Sequence, residues 1–244
     1  MRFAVFLLLA LCLRAGAEES ILLLRGAAGE TTYGEAFEAE IAAWETAVAK
    51  APNAKLTVVR PQSDSPQLPG FEKELTAILT RQPERLWLVL CGHGTFDGRE
   101  ALFNLQGPDL SPAVLKKALE SFQGELVFIH TGSASQPFGK ALAGRGRVCV
   151  TATKSGAEVF YTRFGLPFAQ AIAGEAAADL DQDQQVSVLE AFLHAADAVR
   201  HFYIHEERLA TEHAVLDDNA DGSPTRSEKF EGVDLKDPAA AADG

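Results

Sequence analysis

Basic charge is scarce in this chain. Against 34 acidic residues it has 22 Lys and Arg, a net charge of −12 over 244 residues. So acidic a surface disfavours nucleic acid and anionic membranes as partners and favours divalent cations. Cysteine is nearly absent, with three in all. Cys91 and Cys149 lie in apolar runs, "LWLVLC" and "VCVTAT". They read as two buried free thiols, with a disulfide as the alternative. Internal repeats are absent too. No apolar run reaches the length of a comfortable membrane span.

The longest apolar run is N-terminal. "MRFAVFLLLALCLRAGA" places Arg2 before an apolar stretch from Phe3 to Leu13, then Ala15-Gly16-Ala17. This is the layout of a secretory signal peptide over residues 1–17, with cleavage near Ala17 and export to the periplasm or the exterior. Leu11 before Cys12 is too large for a lipoprotein site. Cleavage removes Arg2 and Arg14, so the mature charge is 20 − 34 = −14, and no membrane contact is expected afterwards.

The whole chain is 47% hydrophobic, and the remainder is large enough for one domain with a sizeable core. Apolar runs alternate with helical patterns. Strands are predicted at 21–26, 55–59, 86–91, 125–129 and 147–153. Phe37, Ile41, Trp44 and Val48 mark one helix, and Phe71, Leu75, Ile78 and Leu79 another. Ser111 and Pro112 form an N-cap and first-turn pair. Further helices are expected over about 164–173 and 187–209. Such alternation predicts an α/β domain over 18–215: a mostly parallel sheet, helices on both faces, function at the carboxyl ends of the strands. The segment 216–244 is polar and acidic and reads as partly disordered.

One strand runs into "CGHGTFDG". Glycines flanking His93 let the backbone turn sharply at a strand end, where an imidazole can serve as a base. The next strand runs into "IHTGSASQPF". Together these stretches resemble the caspase–haemoglobinase fold of cysteine peptidases, closest to legumain-like peptidases, over roughly residues 20–210. The resemblance implies a caspase-like three-layer sandwich, His93 at the catalytic histidine and Gly94 at the glycine after it. Aligned without a gap, Gly132 falls where that family has its cysteine, and His130 where an acidic residue is common. Glycine offers no thiolate. The resemblance therefore implies a peptidase homologue without its nucleophile, binding a peptide or protein in the former active-site cleft. One alternative is a hydrolase using Ser133 with His93. Another is a calcium-stabilised structural or interaction module.

"DLDQDQQVSVLE" (179–190) carries the EF-hand register. Asp179, Asp181, Asp183, Gln185, Ser187 and Glu190 stand at positions 1, 3, 5, 7, 9 and 12. Hard Ca²⁺ wants six to eight oxygens, and this spacing folds carboxylates around one point. Gln184 stands where glycine is expected. "DDNADGSPTRSE" (217–228) repeats the register through Asp217, Asn219, Asp221, Ser223, Thr225 and Glu228. There Pro224 is wrong for a paired EF-hand, and a polar surface turn is the competing reading. His201 and His205 have a spacing zinc can use but read as helix-surface residues. Lys154 and Ser155, after the fifth strand, border the cleft.

Overall fold

In the computed structural model the residues described are 19–63 and 65–231. The expected signal peptide and the end of the acidic tail lie outside them. The chain runs β1 (Glu19–Arg25), α1 (Thr31–Ala49), β2 (Ala54–Val59), α2 (Gln67–Arg81), β3 (Arg85–Cys91), β4 (Gly94–Phe96), β5 (Ala101–Phe103), α3 (Pro112–Ala118), β6 (Glu125–His130), α4 (Gln136–Leu142), β7 (Arg147–Thr151), α5 (Gly165–Ile172), α6 (Val188–His205), β8 (Val215–Asp217) and β9 (Thr225–Arg226). Seven strands form one sheet in the order β2-β1-β3-β6-β7-β8-β9. β2 to β7 in that order are parallel, and β8 and β9 add on antiparallel.

The strands are apolar on both faces because both faces are covered. Ile21, Leu23, Trp87, Val89, Val127 and Ile129 pack with Phe37, Ile41 and Trp44 of α1, Phe168 of α5 and Phe192 of α6. Leu22, Leu24, Leu88, Leu90 and Phe128 face the other way, onto Phe71 and Leu75 of α2, Leu115 of α3 and Phe138 of α4. This is the three-layer α/β sandwich that the sequence predicts. Cys91 and Cys149 belong to opposite layers and are free, which settles the disulfide question against pairing.

Three features depart from expectation. β4 and β5 form a separate two-stranded hairpin directly after His93. α4, with Pro137 in its first turn, was not expected. The domain boundary at 215/216 falls inside β8, whose Cys149–Asp217 pairing carries the sheet into the segment read as polar and partly disordered. Leu216 and Phe230 are buried there, so the core extends to residue 230.

Candidate functional site

β3 and β6 are adjacent and in register, with Leu90 beside His130. Their carboxyl ends therefore deliver Gly92-His93-Gly94 and Thr131-Gly132-Ser133 to one place. His93 is half-buried and stands against α1 and the β7–α5 loop. Its ring lies 4.7 Å from that of Tyr33, 5.1 Å from Phe37 and 6.1 Å from Tyr161, each near-perpendicular or steeply inclined. Tyr33 and Tyr161 are 5.0 Å apart. Burial lowers the His93 pKa, opposed in part by the Ala28 backbone. The imidazole is thus neutral at pH 7 and set in an aromatic recess.

The facing stretch is consumed by packing. A Cβ on Gly132 would stand 2.1 Å from the Gly92 carbonyl oxygen. One on Gly94 would stand 2.1 Å from the Ser133 carbonyl oxygen. The two loops touch backbone to backbone, and only glycine permits it. Ser133 is buried, and its Oγ accepts from the Gly94 N–H (3.1 Å) and donates to the Gly94 carbonyl (2.9 Å). Both of its hydrogen bonds thus go to the backbone beside His93 and neither to the imidazole. That corrects the Ser133–His93 pairing: the hydroxyl is a backbone clamp. His130 is buried among Phe103, Phe128 and Phe138. Its Nδ1 accepts from the Gly132 N–H (3.1 Å), so the ring is the neutral Nε2–H tautomer, and burial drives its pKa to about 3.

Beneath the recess lies a carboxyl that sequence reading missed. Glu40 of α1 is 5% exposed, and both its oxygens face the Thr131 hydroxyl (3.0 and 3.2 Å). The Trp44 indole N–H points towards it without reaching hydrogen-bond geometry. Burial raises its pKa to about 7, against the hydrogen bonds, and raises the neighbouring Cys91 thiol well above its usual value. Cys91 therefore carries no thiolate. The clue in the sequence was register, because Glu40 shares the buried stripe of Phe37, Ile41 and Trp44. After β7, Lys154 is exposed and pairs with Glu158 (3.6 Å). Glu158 also takes His213 Nδ1 (2.5 Å). His201 and His205 are exposed on α6.

The acidic loop lies before α6, its far end beside the amino ends of β1 and β2. Oxygens of Asp179, Asp181 and Asp183 approach within 4.8 Å of one another. Gln182 and Gln184 adopt positive φ, 63° and 71°, so Gln184 takes the left-handed conformation for which glycine was expected. Glu190 has another part than the one expected. Its Oε1 accepts from the N–H groups of Leu180 and Asp181, and its Oε2 from the Ser187 N–H and hydroxyl. Four donors fill the lone pairs of both oxygens. Glu190 therefore closes the loop and caps α6, with the Ser187 Oγ accepting from its N–H. A cavity of about 430 Å³, floored by Trp44 and Trp87, opens beside Gln184–Val186. In the second loop Glu228 pairs with Arg226, and Ser227–Phe230 form a single turn of 3₁₀ helix.

No family model matches the chain, and no curated protein matches it. Solved structures do. The chain is similar to the Drosophila initiator caspase Dronc, with TM-score 0.53 at 12% identity over 85% of this chain and 81% of that one. drICE gives 0.52 at 8% identity over 85% and 90%. A secreted C11 cysteine protease from Bacteroides thetaiotaomicron gives 0.51 at 11% identity over 84% and 67%. At such identities the likeness establishes the caspase-like fold. Among the described residues no helix is long and apolar enough to cross a membrane.

Proposed function

We propose that this is an exported, legumain-like peptidase homologue that has lost its nucleophile and binds a peptide or protein at the His93 recess. One observation carries the reading: the missing Cβ of Gly132 would point into the Gly92 carbonyl. The stretch after β6 offers the imidazole neither thiol nor free hydroxyl, because Ser133 is held by Gly94. What the recess retains is recognition chemistry. Tyr33, Tyr161 and a neutral His93 combine apolar faces with polar tips, a combination that favours peptide side chains and backbone amides.

Selection from a displayed random-peptide library tests this. Enriched peptides bind the chain and lose at least tenfold affinity on His93→Ala or Tyr161→Ala. A library that enriches nothing, or peptides indifferent to both changes, refutes it. The 179–190 loop supports a second element of the proposal, a calcium site built on Asp179, Asp181 and Asp183 with Gln185 beside them. Glu190 shapes this site without ligating.

A further inference from the structure

We propose that the β8–β9 loop is a second calcium site, with Asp217, Asn219 and Asp221 as its side-chain ligands. The observation that points to a ligand is the Asp217 carboxylate. The residue is 3% exposed, and its Oδ2 is buried with no hydrogen-bond partner. Oδ1 accepts from the Ala220 N–H (3.2 Å), so the carboxylate is turned over the loop, with Oδ2 left for something within it. A buried anionic oxygen without a donor is costly. The backbone N–H groups of Ala220 and Gly222 offset part of that cost, and the charges of Asp221 and Asp218 add to it. An oxygen of Asp218 is also buried and unpaired. A cation within the loop would satisfy the free Asp217 oxygen.

The loop has the shape for one. Ala220 and Gly222 hold φ of 70° and 72°, at the same two register positions as Gln182 and Gln184 in the first loop. The Asp221 N–H donates to Asn219 Oδ1 (2.9 Å), and the Ser223 N–H to Asp221 Oδ1 (2.6 Å). The equivalent bonds of the first loop are Asp183 to Asp181 and Gln185 to Asp183. Such turns leave the second oxygen of Asp221 and a second lone pair on Asn219 Oδ1 for a cation, and the Ser223 carbonyl occupies the position from which an EF-hand supplies its backbone ligand. Every donor is a hard oxygen, and a loop of this register suits the larger coordination shell of Ca²⁺ better than the small octahedral shell of Mg²⁺. Glu228, paired outward with Arg226, is not needed. Because β8 pairs with β7, a cation here would fasten the edge of the sheet.

Calorimetric titration of calcium into the chain carrying Asp181→Asn and Asp183→Asn isolates this site from the first loop and from the peptide recess. One equivalent should bind, with Kd of about 10⁻⁵ to 10⁻³ M, and weaken at least tenfold on adding Asp221→Asn, an exposed change that leaves the fold intact by circular dichroism. Asp217→Asn should do the same. Absence of binding at 1 mM, or binding that survives both changes, overturns the proposal and leaves the first loop untouched.

Discussion

The Cα of Gly132 sits so close to the Gly92 carbonyl that a Cβ placed on it would stand 2.1 Å from that oxygen. The neighbour is backbone at the end of a central strand, so no rotamer change relieves it. Gly132→Ala should destabilise the protein by about 2 kcal/mol or more, as overpacking does. Gly132→Cys should cost at least as much. Its thiol should alkylate no faster than that of an ordinary surface cysteine. Urea denaturation and iodoacetamide kinetics read the two. An undiminished midpoint with a fast-reacting thiol would mean that the loop opens toward His93.

The strands β1, β3, β6 and β7 were legible because burial on both faces writes them as continuous apolar runs. His93 was legible because glycines flank it at a strand end. Its surroundings were not. Tyr33, Phe37 and Tyr161 come from α1 and the β7–α5 loop, and only the fold brings them together. β4, β5 and β9 are too short to carry a period. The sequence shows a glycine at 132, but not that its own Cβ position is filled. Glu190 fits the register of a ligand, and the four hydrogen bonds it accepts are unreadable from spacing.

Glu40 keeps its proton when folded up to about pH 7, where the unfolded chain releases it near 4.5. Between those values the folded state binds more protons, so stability falls as pH rises through the window and stays lower above it. Glu40→Gln removes that fall. The variant should match the wild type below pH 4.5 and exceed it at pH 8, by about 3 kcal/mol at most. Glu212, also raised to about 7 by burial, keeps its own share in both proteins. Parallel stability curves for wild type and variant would place Glu40 in contact with water.

His130 acts in the opposite sense. Buried neutral with a pKa of about 3, it stays unprotonated as the unfolded chain takes a proton below pH 6.5. Stability is lost as pH falls from 6.5 towards 3. His130→Asn keeps an acceptor for the Gly132 N–H and loses the ring. It should be less stable at pH 7 by about 1 to 3 kcal/mol, but by pH 4 it should gain about 3 kcal/mol relative to wild type, enough to close or reverse that gap. A constant gap would contradict the buried neutral tautomer.

Calcium should raise the melting temperature, and Asp181→Asn should remove the first loop's share of the rise. Glu190→Gln should lower the melting temperature in chelator, by about 1 to 3 kcal/mol of stability, because its amide nitrogen cannot accept. It should leave the calcium-induced rise in place. A variant as stable as wild type in chelator but blind to calcium would make Glu190 a ligand after all.

The central claim is that the His93 recess binds without cutting. Incubating the chain, with and without calcium, with a proteome-derived peptide library and reading new termini by mass spectrometry tests it most directly. The account predicts no termini beyond those of a His93→Ala control. New termini that appear with the wild type and vanish in the His93→Ala control would contradict it.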